Sequence, residues 1–430
     1  MGQAVGGWGL IRIRACHECA PAASRRSGTI EFPPQESQRR SQGGRSVSEL
    51  IYLDHHATTP CDPRVADAMV PYLVEHFGNP SSTQYSAGRK AKEAVENARV
   101  QVAELVGVRP SEVIFTAGAS ESINLALKGL AASRPRHTTL VTSPTEHDAV
   151  LATCRAIVEE GGDRRMAWLD VSSEGLIDAK DVARKVGEDT LAVAVMAANN
   201  EVGTVQPIAE VGRICRAARA PLLVDLAQIL GKIPVSAAEM GFDLAALSAH
   251  KFYGPKGIGA LIIRRGGAGD RLAPLIHGAG YERGLRAGTL NVPGIVGLGA
   301  AAELARLELE EEVAHVRDLR DVFLRAVRAA GLEPVINGSW EHRLPNNLHL
   351  AFPGVEASLI LEALEGVALS AGSACSTEKR EASHVLRAMG LPDDRLFSSL
   401  RLGFGRSNTT EQVERAAAEV VRVVKLLSAR

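Results

Sequence analysis

The eight apolar residues "LAVAVMAA" at 191–198 stop abruptly at Asn199 and Asn200, and this plan, a short apolar run closed by polar residues, recurs along the chain. A run of that length fits a strand buried on both faces and falls well short of the roughly 18 residues of a spanning helix. "EVIFTAGASESINLALKGLAA" passes from an expected strand, Val113–Thr116, through small residues into a helical pattern. "TLVTSPTEHDAVLATCRAIVEEGG" repeats the plan, "APLLVDLAQ" is a strand ending at Asp225, and "FDLAALSAHKFYGPKG" is one ending at Ser248, His250 and Lys251. Strands alternating with helices predict an α/β fold with a mostly parallel sheet. Ligands of open α/β sheets bind at the carboxyl ends of the strands, where these polar clusters fall.

The charge balance narrows the partner. Lys plus Arg number 49 against 50 Asp plus Glu, a formal net charge of -1, so no bulk field draws the chain to nucleic acid or to an anionic membrane. The partner expected is a small molecule in a soluble, cytoplasmic protein. Six cysteines scattered over 430 residues do not make a disulfide framework and suggest a reducing compartment. Cys154 and Cys215 sit at apolar helical positions and Cys61 near a turn. "CHEC" at 16–19 is half a zinc site with no second half, so no metal site is expected. Residues 1–46, with seven Arg against three Glu and no apolar period, are expected to be a disordered extension or to precede the true start at about Val47. An organelle transit peptide is the competing reading.

Singly, each strand-end residue has a plain explanation: Asp225 or His147 could cap a helix, and Lys251 could be a solvated charge. Together they suit one cofactor. Gly118, Ala119 and Ser120 open a helix where a phosphate would meet backbone N–H groups. Pyridoxal phosphate needs a lysine for its Schiff base and a carboxylate at its pyridinium nitrogen, roles that Lys251 and Asp225 fill. His147 could then stack on the ring, Gln228 donate to its phenolic oxygen, and Ser248 and His250 bond the phosphate. Cys375, in "SAGSACS", stands among residues with almost no side chain, which suits a reachable nucleophile as well as an incidental surface thiol.

The phrases "YLDHHATTP", "GNPSS", "TEHDAVLATC", "NNEVGTVQPI", "VDLAQILGK", "SAHKFYGPKGIGAL", "HGAGYERGLRAGTLNV" and "SAGSACS" resemble, in order, the motifs of the cysteine desulfurases, in the class V branch of fold-type I pyridoxal-phosphate enzymes. The resemblance spans about residues 50–426. It implies a large cofactor domain, 66–309, built on a mostly parallel seven-stranded sheet, and a smaller α+β domain from 47–65 and 310–430 that includes the Cys375 loop. It implies a homodimer that converts L-cysteine to L-alanine and keeps the sulfur as a persulfide on Cys375. By the same resemblance Lys251 carries the cofactor; Ala119, Ser120, Ser248 and His250 contact the phosphate; and Asn200, Asp225 and Gln228 hold the ring. Thr289 reaches the phosphate from the partner subunit. Arg401 grips the substrate carboxylate, with Asn200 beside it and Arg406 as the rival. Asn346 and Asn347 fall in a further motif without a catalytic role.

The resemblance also implies a mechanism: Lys251 removes the Cα proton, the Cys375 thiolate attacks the substrate sulfur, and His147 moves protons. The length of the Cys375 segment resembles that of the iron–sulfur-assembly and nitrogen-fixation subgroup, which implies a sulfur-acceptor or scaffold protein serving iron–sulfur clusters or tRNA thiolation. A transient contact of the Cys375 persulfide with an iron–sulfur cluster is left open. Leu226, Ala227, Ala371 and Ala382 depart from the family pattern without removing a catalytic group. The alternatives are a selenocysteine lyase or other class V enzyme, and an inactive binding platform for assembly proteins. The platform would be expected to lack Lys251, His147 or Cys375.

Overall fold

The structure, a computed structural model, describes residues 50–267, 269, 271–371 and 382–429. In chain order the strands are β1 (Ile51–Tyr52), β2 (Val113–Thr116), β3 (Thr139–Thr142), β4 (Arg165–Trp168), β5 (Thr190–Met196), β6 (Leu222–Asp225), β7 (Leu244–Ser248), β8 (Gly259–Ile263), β9 (Val335–Ile336), β10 (Asn347–Ala351), β11 (Val367–Ala368) and β12 (Ser399–Gly403). A seven-stranded sheet runs in the order β2-β8-β7-β6-β5-β3-β4. The pairs β4/β3, β3/β5, β5/β6 and β6/β7 are parallel, and β8 is antiparallel to both β7 and β2. The expected mostly parallel α/β sheet is therefore present, with β8 as its one reversed member.

The apolar runs follow from burial on both faces. Val193 and Val195 of β5 pack in a core with the helices Ser86–Val106 and Val292–Leu307, while Ala192 and Ala194 pack in another with Ala119–Ser133 and Asp148–Glu160. Successive side chains of a strand point to opposite faces, so a sheet covered on both sides reads as an unbroken apolar run. Cys154 and Cys215 belong to these cores, and burial pushes each thiol up to about 12, which leaves them inert.

A separate core is built on the antiparallel sheet β12-β10-β9. Leu348 and Leu350 of β10 and Leu400 and Leu402 of β12 pack there against the helices Leu309–Ala329 and Thr410–Ser428. With Leu400 and Leu402 turned into that core, alternation turns Arg401 to the opposite face of β12. Among the described residues no helix is long and apolar enough to cross a membrane, and no cluster of His, Cys, Asp and Glu could hold a metal ion. Residues 1–46 and Cys375 lie outside the described residues.

Candidate active site

The carboxyl ends of β2, β5, β6 and β7 converge on a cavity of about 580 Å³. Sequence forces this convergence, because parallel strands joined by helical crossovers all end at one edge of the sheet. Ala119, Ser120, His147, Asn200, Asp225, Gln228, Ser248, His250, Lys251 and Arg401 all line it.

Beyond β2, Gly118 takes φ 153° and ψ -178°, a conformation open to glycine alone, and the helix Ala119–Ser133 then starts with no side-chain cap. Its first N–H groups and the positive end of its dipole border the cavity, a ready site for an anion. Ser248 ends β7, and its Oγ lies 3.6 Å from where a Cβ on Gly118 would stand. His250 Nδ1 is 3.1 Å from Thr58 Oγ1, and burial lowers its pKa to about 4, so the ring is neutral.

Asp225 closes β6 with its carboxylate in the buried wall, where Oδ1 accepts from the Ala227 N–H at 2.9 Å. Burial raises its pKa, against the pull of that N–H and of the neighbouring His147 and Lys251. Lys251 Nζ donates to the carbonyls of His56 and Ala57 at 2.7 and 2.8 Å. His147 both caps a helix and lines the cavity: its Nδ1 accepts from the Ala149 N–H at 3.0 Å. In the neutral ring that bond leaves the proton on Nε2. Arg401 is 2% exposed; its Nη2 donates to Asp54 Oδ1 at 2.8 Å and its Nη1 to the Asn200 carbonyl at 3.1 Å. Its buried Nε has no hydrogen-bond partner among the described residues.

A profile of the aminotransferase class-V family matches residues 51–416. The chain belongs to the class-V aminotransferases. It is 47% identical over 381 residues to a cysteine desulfurase IscS of Neisseria meningitidis, covering 88% of this chain and 92% of that protein. To the cysteine desulfurase IscS of Anaeromyxobacter sp. strain Fw109-5 it is 48% identical over 381 residues, 88% of this chain and 93% of that one. The solved structure of a NifS-like protein superposes with a TM-score of 0.81 at 38% identity, over 88% of this chain and the whole of that chain.

Pyridoxal phosphate is the cofactor of this class-V chain, and the cavity's donors fit it. A dry carboxylate at Asp225 favours a protonated ring nitrogen. The uncapped helix with Ser120 and Ser248 offers an anion seat, Lys251 offers an amine, and Arg401 Nε offers an unused donor for a carboxylate.

Some expected residues stand apart. Arg406 does not line the cavity: it pairs with Asp62 at 3.0 Å, Glu308 at 3.2 Å and Glu312, and its guanidinium lies 4.0 Å over the Tyr253 ring. Thr289 is exposed and outside the cavity lining of the single chain. Cys375 lies outside the described residues, but the flanking residues reach the site: Ser370 bridges to Arg401, and His384 lines the cavity. Sequence reasoning missed His56, Glu201 and His384, all in the lining. His56 and Glu201 lie within the quoted motifs, so position was available as a signal, whereas their partners were not.

Proposed function

We propose that this class-V chain is a cysteine desulfurase that converts L-cysteine to L-alanine and leaves the sulfur on Cys375 as a persulfide. The observation that carries the reading is the one cavity lined together by Lys251, Asp225 and Arg401. Similarity to the desulfurases of Neisseria and Anaeromyxobacter supports the choice of reaction.

When bound, pyridoxal phosphate supplies an electron sink for the pair left at the substrate Cα. Arg401 binds the substrate carboxylate and is itself held in place by Asp54 and the Asn200 carbonyl. Asp225 would hold the ring nitrogen, and Ala119, Ser120, Ser248 and His250 would hold the phosphate. Lys251 Nζ takes the Cα proton as general base. His147, whose Nδ1 is occupied by the helix cap, acts through Nε2 and delivers its proton there. The Cys375 thiolate attacks the substrate sulfur: an S–S bond forms, the substrate C–S bond breaks, and the electron pair stays with carbon, which takes a proton to become the methyl group of alanine.

The described flanks of the Cys375 segment support this role, since Ser370 meets Arg401 and Ser383 bonds Glu201 beside the cavity. A sulfur-acceptor protein then takes the persulfide sulfur. A homodimer in which Thr289 serves the partner's cavity is supported by Thr289 lying exposed, and by exposed Leu73, Val74 and Phe77 at 61, 65 and 78%. The deciding experiment compares alanine and sulfide release from L-cysteine, with a reductant, for the wild type and Cys375→Ser. Equal alanine and sulfide from the wild type, and neither from a variant that still holds its cofactor, is the expected result. Turnover that persists in the variant means elimination or transamination instead, and no turnover in either revives the binding platform.

A further inference from the structure

His56 is fully buried against the cavity, and both of its ring nitrogens face groups whose roles are fixed from outside the ring. On one side Asn347 Nδ2 stands 3.1 Å from Nε2. The Asn347 amide has only one possible orientation, because Arg343 Nη1, a group that cannot accept, donates to its Oδ1 at 2.6 Å. Its Nδ2 also donates to the Glu201 carbonyl at 2.9 Å, which fixes the same orientation. Nε2 of His56 must therefore accept. On the other side Gln228 Oε1 stands 3.1 Å from Nδ1. This amide is fixed as well, since its Nε2 donates to the His56 carbonyl at 3.0 Å and a carbonyl only accepts. Nδ1 must therefore donate. Two independent constraints select one neutral tautomer, with its proton on Nδ1. Burial, assisted by the charges of Arg401 and Lys232, holds the ring pKa well below the usual histidine value, so Nε2 stays bare.

Gln228 thus has its oxygen and one N–H bound to a single residue, and its second N–H remains for the cavity. The geometry points to His56 as a positioning residue that presents Gln228 to the cofactor's ring oxygen as a hydrogen-bond donor and never as an acceptor, with Arg343 and Asn347 setting the tautomer. This rests on the proposed reading of Gln228 as the neighbour of that oxygen. An amide free to turn offers its carbonyl as readily as its N–H, and a carbonyl facing an oxygen of negative charge repels it. The main-chain carbonyl and the Nδ1–H of His56 together remove that choice before the cofactor arrives, with Arg343 and Asn347 keeping the proton on Nδ1, so no reorganisation is needed on binding.

Nitrogen NMR on histidine-labelled, cofactor-free protein, with His56 assigned through His56→Asn, should give the Nδ1–H tautomer at neutral pH and no protonation in mild acid. An Nε2–H tautomer, or an imidazolium there, overturns the inference whatever the cofactor does. In the holoenzyme, Gln228→Leu should raise the pH midpoint of the visible absorption by roughly one unit, a tenfold change in the ionisation constant. The direction follows because a ring oxygen without its donor holds the proton it shares with the lysine linkage more tightly. His56→Leu keeps the main-chain carbonyl but leaves Gln228 Oε1 without its donor, so it should share part of that rise; His56→Asn, which keeps an N–H toward Gln228, should largely abolish it, and the double Leu variant should match Gln228→Leu alone. An unmoved midpoint in Gln228→Leu refutes the placing of Gln228 beside the oxygen. A shift in Gln228→Leu that His56→Leu does not share, or two shifts that add, refutes the positioning role.

Discussion

Replacing Arg401 by lysine separates the two arginines that compete for the substrate. Nη1 and Nη2 of Arg401 are already bonded to the Asn200 carbonyl and Asp54, so the substrate carboxylate takes the unused Nε and the remaining fork. A lysine ammonium is a point charge on a shorter reach and cannot serve all three groups. The loss of a charge-assisted bond contributes about 1.5–3 kcal/mol, which corresponds to a rise of roughly 10- to 150-fold in KM for L-cysteine. Cofactor absorption should be unchanged, since Arg401 has no part in holding the ring. Arg406→Ala is the counterpart: it strips the buried carboxylates of Asp62 and Glu312 of a cation, which costs about 3–5 kcal/mol of stability and should leave KM alone. Steady-state kinetics and urea midpoints of both variants provide the assay. A raised KM in Arg406→Ala with an unchanged one in Arg401→Lys would refute the assignment.

Three further outcomes follow from the same contacts. Lys251→Ala should lose the visible absorption of the lysine-linked cofactor, and a retained band would exclude Lys251 as the attachment point. Lys232, buried with its Nζ on the Lys251 carbonyl at 2.9 Å, has its pKa lowered to about 8 from 10.5, chiefly by burial. The unfolded chain then binds the extra proton between those values, so this lysine costs the fold up to about 3 kcal/mol below about pH 8, a cost that fades as pH rises to 10.5. Lys232→Met should therefore be the more stable protein at neutral pH, with the advantage shrinking above pH 8 in urea titrations; a constant difference would contradict the linkage. Glu282, at φ 46°, accepts from Arg99 at 2.8 and 2.9 Å and from the Phe115 N–H at 2.7 Å. Glu282→Ala takes the buried carboxylate from that arginine, leaving it the exposed Glu96 at 3.2 Å and the Val113 carbonyl, and should cost about 3 kcal/mol, with a loss below about 1 kcal/mol counting against the clamp.

Sequence periodicity determined a good deal. Apolar runs such as 191–198, closed by polar residues, specify a parallel sheet covered on both faces, and with it the edge where Asp225, Ser248 and Lys251 gather. Those facts are local: burial on both faces needs an unbroken apolar run, and a strand must end before a helix begins. The alternation of Leu400, Arg401 and Leu402 likewise marks which way Arg401 turns. What tertiary structure alone decided concerns partners distant in sequence. Arg401 and Arg406 are five positions apart, the first favoured by resemblance and the second its rival, and only folding sends one into the cavity and the other among Asp62, Glu308 and Glu312. His147 reads as either a helix cap or a catalytic group, and it holds both positions, since its Nδ1 caps the helix while the residue lines the cavity. The orientation of His56 depends on Gln228 and on the neighbouring pair Arg343 and Asn347, two parts of the chain far from it in sequence. A hydrogen bond's direction is set by the groups at its two ends, and no spacing rule relates residues that meet only when the chain has folded.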